Sequence, residues 1–276
     1  MEIEIREMEE TRGVFVLKNS SPTVANAIRR TMLTEIPKMA IDKVEFHLGS
    51  IMGEEKEYES ITPLFDEILA HRLGMVPVPT DHELFTFQED CVCGGEGCPS
   101  CTIMYSLNEK GPCTVLSGDM KPLGSPDLVV KDQFIPIVEL TDGQAVLIYA
   151  TAVMGRAKKH AKWQAAFGVG YKYFPVVEVD EKKAGEPSAI RCAEICPKGV
   201  FEVEGGRLRV KDMLGCCLCR DCEDVSRGAV SVGIDDTNFL FRYETDGSLT
   251  ARQVLDKALE ILSKQSEGAL AGLGDA

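Results

Sequence analysis

NSSPTVANAIRRTMLTEIP, residues 19–37, reads as an amphipathic helix with both of its ends written into it. Ser21 can accept a hydrogen bond from the first free backbone N–H groups, and Pro22 suits the first turn, where no amide donor is needed. Val24, Ile28 and Met32 recur every four residues and so share one face. Pro37 stops the helix. On the N-terminal side, residues 2–6 and GVFVLK (13–18) have strand-like β-branched and aromatic content. On the other side, AIDKVEFHL (40–48) alternates as a strand. No partner for the helix is visible here. It packs on its own sheet, or it shares its apolar face with another subunit.

The far end of the chain carries the clearest helix. Thr250 with Gln253 forms a capping box. Leu255, Leu259 and Leu262 make one stripe, widened by Val254, Ala258 and Ile261, and SEGALAGLGDA (266–276) reads as a small, flexible tail. In the interior, a second helix is expected from Thr62 and Pro63 to Gly74, with Leu64, Ile68 and Leu69 on one face. The extended stretch MVPVPT follows it. Strands are expected near 103–107, 113–117 and 145–153. GVFEVEGGRLRV (199–210) is a hairpin about Gly205 and Gly206.

With 276 residues and 44% hydrophobic content, the chain can fold as two or three modest domains. A net charge of -14 makes it a poor candidate for gripping nucleic acid over a broad face and suits it to basic partner subunits. MEIEIREMEE lacks the basic and apolar character of a targeting segment, and no run of about 18 apolar residues occurs. A cytoplasmic protein is expected. Eleven cysteines in such a chain argue for metal rather than disulfides.

The cysteines fall in groups. Bacterial two-cluster ferredoxins repeat C-x2-C-x2-C-x3-C-P, the fourth cysteine of each run serving the other cluster. Cys216, Cys219 and Cys222 supply three positions of one run, and Cys196, followed by Pro197, supplies the fourth of another. These four close one [4Fe-4S] site, which oxidation can reduce to [3Fe-4S]. A structural zinc is the rival occupant. The second site would fall at Glu186, Ala189, Cys192 and Ser226, one cysteine in four, and reads as vacated. Cys192 and Cys217 are left over, as buried thiols or an oxidisable pair. The other group, Cys91, Cys93, Cys98 and Cys101, has spacing C-x-C-x4-C-x2-C on a Gly-rich loop. Two short chelating bites of soft ligands suit a structural zinc; a loop of unliganded thiols is the alternative.

Catalytic signatures are lacking. The four histidines, His47, His71, His82 and His160, sit in no HExxH or GxSxG context, and neither a Walker loop nor GxGxxG occurs. KKHAKW (158–163) holds the only tryptophan in the main basic run. It is a solvated face or a docking edge.

Several of these stretches resemble one family. NSSPTVANAIRRTMLTEIP is similar to the N-terminal helix of the α-type assembly subunits of cellular RNA polymerases. DEILAHRLGMVPVP (66–79) resembles their insert-domain signature, and GRAKKHAKWQAA (155–166) a second one of archaeal and nuclear members. FRYETDGSLTARQVLDKALEIL (241–262) resembles their closing strand and helix. The ferredoxin-like module points to the archaeal branch, the D-type subunits. The resemblance implies an α+β fold: a dimerisation domain built from both chain ends (1–48 and 231–276), an insert domain (49–180) with the zinc-type loop, and a ferredoxin-like iron–sulfur domain (181–230).

It also implies a non-catalytic platform. Such a subunit pairs with the small α-like subunit L and nucleates assembly of the large catalytic subunits, with small subunits N and P attached. It makes no sequence-specific DNA contact and meets no membrane. Partner-binding residues carried over are Ala27, Ile28, Arg29 and Arg30 on the first helix and Leu255, Leu259 and Leu262 on the last. His71, Arg72, His160, Lys162 and Trp163 fall in the insert motifs. The loop at 91–101 matches a zinc loop of nuclear relatives, with one extra residue between Cys93 and Cys98. Two other classes remain on the residues alone: a ferredoxin-like electron-transfer subunit of an oxidoreductase, and a zinc-dependent interaction module.

Overall fold

The first helix forms where the sequence places it, at Pro22–Thr34, with Ser21 Oγ accepting from Val24 N–H at 3.4 Å. Ile28 and Met32 of the expected face are buried, but Val24 is 36% exposed and Ala25 and Thr31 complete the buried face instead. A 3.6-residue repeat drifts off a strict spacing of four, so positions three and four apart alternate along the true face.

The computed structural model describes residues 1–52 and 56–274, without the side chains of 273 and 274. In chain order the elements are β1 (Glu2–Met8), β2 (Arg12–Lys18), α1 (Pro22–Thr34), β3 (Lys38–Phe46), β4 (Gly49–Met52) and β5 (Glu57–Ser60). Next come α2 (Asp66–Met75), β6 (Thr102–Lys110), β7 (Cys113–Leu116), β8 (Lys121–Pro122), β9 (Pro136–Leu140), β10 (Gln144–Gly155) and β11 (Ala166–Val179). The chain closes with α3 (Pro187–Ile195), β12 (Phe201–Glu204), β13 (Arg207–Val210), α4 (Asp221–Ser226), β14 (Val230–Thr245) and α5 (Ala251–Gly274). No described helix is long and apolar enough to cross a membrane.

The chain divides into two compact units. One comprises residues 1–7, 14–27 and 170–242; the other 8–13, 28–169 and 243–276. Each therefore draws on both ends of the sequence.

In the first unit a four-stranded sheet runs β1-β2-β14-β11. Val14 to Leu17 are all buried, the unbroken apolar run of a strand covered on both faces. Phe15 stacks on Phe241 at 4.6 Å between centroids, and Tyr171 and Tyr173 pack edgewise or tilted on Phe239. Residues 180–229 form a small module with its own core. The predicted hairpin is present, pairing Phe201 with Val210 and Glu204 with Arg207, and Gly205 and Gly206 take φ of 59° and 77° at its turn. That left-handed pair is the geometry that turns two strands tightly.

In the second unit β10 is the spine of a larger sheet, ordered β4-β5-β10-β6-β8, with β3 also pairing along β10. α2 lies on β3 and buries Leu69 and Leu73 in a core with Met39, Ile41, Tyr105 and Ile148. The helix starts four residues later than Thr62. Thr62 Oγ1 instead donates to Leu64 O, and Asp66 and Glu67 take the first turn, where carboxylates favour the helix dipole. The later start rotates the face, so Ile68 is 44% exposed. Trp163 is buried and donates from Nε1 to Val153 O at 3.0 Å, its ring lying over Gly155, where a Cβ would meet it at 2.3 Å. Only glycine lets strand and indole approach this closely.

The closing turn and helix are fastened to the chain start within this unit. Thr245 N–H donates to Thr11 O and Ala251 N–H to Glu10 O, each at 2.8 Å. Thr250 and Gln253 make the reciprocal capping bonds. α5 continues to Gly274, so the expected tail is helical there, favoured by Ala269, Leu270 and Ala271 against Gly268 and Gly272; residues 275 and 276 lie outside the described residues.

His82 Nε2 lies 2.8 Å from Pro37 O. Burial lowers its pKa below the ordinary imidazole value, against the opposing pull of that carbonyl, of Asp81 and of Glu260. Below about pH 6.5 the unfolded chain therefore binds a proton that the fold resists, and stability falls as pH falls. We expect His82→Gln to flatten this loss between about pH 7 and 5 in urea titrations. An unchanged slope would remove His82 as its source.

Candidate functional site

The loop after the 3-10 turn at Gln88–Asp90 folds back twice, with Gly94 N–H donating to Cys91 O and Cys101 N–H to Cys98 O, both at 2.9 Å. Gly94, Gly95 and Gly97 all have positive φ, which lets so short a loop turn its thiols inward. The four sulfurs converge. Cys91 and Cys98 Sγ are 3.5 Å apart, Cys93 and Cys101 3.7 Å, and Cys98 and Cys101 3.9 Å. Among the described residues this is the one His, Cys or carboxylate group found to converge within 4.8 Å. Sulfurs about 2.3 Å from one ion stand about 3.8 Å apart on a tetrahedron. The donor set thus fits a single metal ion. The extra residue between Cys93 and Cys98 does not spoil that geometry.

The loop also prepares its ligands electrostatically. Backbone N–H groups of Cys98 and Gly97 aim at Cys93 and lower its thiol to about 6, so it is a thiolate at neutral pH. Burial pushes Cys101 up to about 12, so that thiol is neutral until a metal displaces its proton.

The other four cysteines are arranged differently. Cys196, Cys216, Cys219 and Cys222 line one small cavity, together with Cys217, Val200 and Phe201. Leu218 and Arg220 take positive φ, 61° and 67°, bending the chain between successive cysteines. Two sulfurs receive backbone donors: Val200 N–H to Cys196 at 3.5 Å and Leu218 N–H to Cys216 at 3.4 Å. Such donors stabilise thiolate charge in iron–sulfur sites. Four thiols around one cavity with amide support fit a thiolate-held group.

Three of the four positions of the vacated second site are filled by packing, and the fourth, Glu186, is exposed. Ala189, Cys192 and Ser226 are fully buried. Cys192 Sγ points to the carbonyls of Ser188 and Cys222, and Ser226 Oγ donates to Glu223 O while accepting from Val230 N–H. Cys192 is a satisfied buried thiol, whereas Cys217 is exposed.

The predicted partner residues are unequally placed. Ile28 is buried, Ala27 and Arg29 are half-buried, and Arg30 is exposed. On α5, Leu255 is buried with Val254 and Ala258, while Leu259, Ile261 and Leu262 remain half-buried. In the insert motifs, Arg72 Nη1 donates to Ile137 O at 2.6 Å, and His160 Nδ1 accepts from Lys162 N–H. Lys162 pairs with Asp42 at 2.5 Å and lies over the Trp163 ring. His71 is exposed. Most of this motif thus holds structure.

The spacing of residues gave no hint of two polar clamps. Lys38 and Asp246 form a buried ion pair, and Lys172 reaches two carbonyls of the cysteine loop. Each joins residues distant in sequence, and a lone lysine in a strand carries no local signal.

Residues 14–266 match the model of the RNA polymerase Rpb3/Rpb11 dimerisation domain. The chain is 43% identical over 267 residues to DNA-directed RNA polymerase subunit Rpo3 of Thermoplasma volcanium, covering 95% of each chain. It is 40% identical over 274 residues to the Rpo3 of Picrophilus torridus, covering 99% of this chain and 100% of that one. With the Rpo3 of Archaeoglobus fulgidus identity is 41% over 267 residues, 96% of this chain and 95% of that one. The chain belongs to the Rpo3 family of archaeal DNA-directed RNA polymerase subunits. It is a non-catalytic assembly subunit of a nucleotidyltransferase complex, and the designation of these relatives is Rpo3 rather than D.

Proposed function

We propose that the chain is the D-type platform of its polymerase. It pairs through α1 and α5 with a small L-type subunit and then recruits the large catalytic subunits and the small subunits N and P. The single observation that carries this reading is the unfinished burial on α5: Leu259, Ile261 and Leu262 stay half-buried, while Val254, Leu255 and Ala258 on the turns before them are buried. Burying one leucine fully is worth about 1.5–3 kcal/mol, so a partner helix laid on this stripe gains substantially. Ala27 and Ile28 contribute from α1, and Arg29 and Arg30 meet an acidic patch of a large subunit. The dimerisation role is drawn from both chain ends, with 49–180 as insert domain and 181–230 as a ferredoxin-like domain.

The two cysteine groups take different metals in this reading. Cys91, Cys93, Cys98 and Cys101 hold a structural zinc, their sulfur spacings being those of one tetrahedral ion. Cys196, Cys216, Cys219 and Cys222 hold one [4Fe-4S] cluster, supported by the shared cavity and the amide donors. The packed second site favours a platform over an electron-transfer subunit, since electron chains use neighbouring centres.

Copurification tests the whole. A small α-like partner is expected, and recovery of a flavoprotein or hydrogenase subunit instead would overturn the reading. Arg29→Glu with Arg30→Glu is expected to leave the small-subunit pair intact and to abolish its capture of the large subunit on size exclusion. Full capture by the double variant would refute the role given to these arginines.

A further inference from the structure

Lys172 stands on β11 at the edge of the four-stranded sheet. Its ammonium donates to Leu214 O at 2.6 Å and to Cys216 O at 2.5 Å. Leu214 itself packs on that sheet against Val14, Val16, Leu240 and Phe174. The segment entering the cysteine loop is therefore held at two points, by an apolar anchor and by a cation. Lys172 is half-buried and has lost part of its hydration, which depresses its pKa; Arg242 adds to that, and Cys216, Cys217 and Asp212 oppose it. Exposed Lys198 and Arg242 line the same recess.

A carbonyl held in place fixes the backbone at its own Cα and leaves the side chain only its rotation about Cα–Cβ. Fixing Cys216 O thus limits where Cys216 Sγ can point, while the Leu218 N–H bond to that sulfur fixes the other side. The ammonium also sets one unit of positive charge on the backbone that carries Cys216, in partly buried surroundings where charge is weakly screened.

We infer that Lys172 is a positioning residue for the four-cysteine site: it aims Cys216 into the cavity and biases the electrostatics of the group held there. The inference rests on the cluster reading above. It assigns the fold a second role for the sheet, which is to brace the metal loop from outside the loop.

The test uses the full-length chain, reconstituted anaerobically with ferrous iron and sulfide, as wild type, Lys172→Met, Lys172→Arg and Lys198→Met. Iron and sulfide content, the rate of cluster loss to EDTA and the midpoint potential are measured. Lys172→Met should release its cluster about tenfold faster, the scale of losing a charged hydrogen bond, and at a lower potential. Lys172→Arg should restore much of both, and Lys198→Met should behave as wild type. If Lys172→Met is too unstable to load, the other two variants still decide: Lys172→Arg and Lys198→Met both close to wild type support the assignment, and a Lys198→Met chain with faster loss and a lowered potential overturns it. A wild-type chain that loads, with a Lys172→Met indistinguishable from it, overturns the inference alone. A wild-type chain that takes up no iron and sulfide overturns the cluster reading and the inference with it.

Discussion

Replacing Lys38 by methionine is expected to lower the unfolding free energy by about 3–5 kcal/mol, measured in urea or guanidinium titrations. The Lys38 side chain is 4% exposed and that of its partner Asp246 10% exposed. Lys38 Nζ also donates to Gln164 O at 3.3 Å, and Asp246 accepts from Ser248 N–H at 3.0 Å. One cation thus joins β3, the loop after Trp163 and the turn that leads into α5. Removing it strands a carboxylate away from water, which costs far more than the pair contributes. Lys38→Met with Asp246→Leu should recover only part of the loss, because Ser248 then loses its acceptor. A single variant within about 1 kcal/mol of wild type would show that water reaches Asp246 freely.

On the zinc reading proposed above, Cys101→Ser is expected to abolish metal binding by the 91–101 loop, read as one zinc equivalent lost by elemental analysis. Cys101 is fully buried at the start of β6, and its sulfur is within 3.9 Å of both Cys93 and Cys98. A serine oxygen there is shorter, harder and poorly ionised, so the tetrahedron loses a corner. Structural zinc supplies about 10–16 kcal/mol of apparent binding energy in small finger modules, so losing a ligand should also raise amide exchange across residues 91–101. Cys113→Ser is the control. Its thiol donates to Lys110 O outside the group, and its zinc content should be unchanged. Full zinc content in Cys101→Ser would refute the metal assignment of this loop.

Sequence legibility followed the range of the forces involved. Local signals were readable: the Ser21 cap, the Thr250–Gln253 box and the Gly205–Gly206 turn each depend on residues within a few positions. The spacing of Cys91, Cys93, Cys98 and Cys101 was readable for the same reason, since a chelating loop is a local device. Tertiary choices were less so. Val24 and Ile28 share an apolar face on paper, yet which neighbour the core accepts, Val24 or Ala25, is decided by the element across from it. β11 and most of β14 passed unread, because strands of 14 and 16 residues change face and environment along their length and blur any single alternation. Division of the chain into units that each mix early and late residues is likewise set by long-range pairing.

The last turns of α5 have a further consequence. From Ser263 to Gly272 every residue is exposed, and Leu270 is 70% exposed. Local pairs, Glu260 with Lys257 and Lys264 and Ser263 with Glu267, are what the chain itself offers there. Pairs of that kind add about 0.2–0.5 kcal/mol each, and so short a solvated helix is marginal in water. Its order is thus conditional on company. On the pairing proposed above, docking a partner along it is expected to couple binding to folding, read as a gain in ellipticity and a negative heat-capacity change on complex formation. The same coupling makes release easy to tune, because the tail of the helix can melt before the interface lets go.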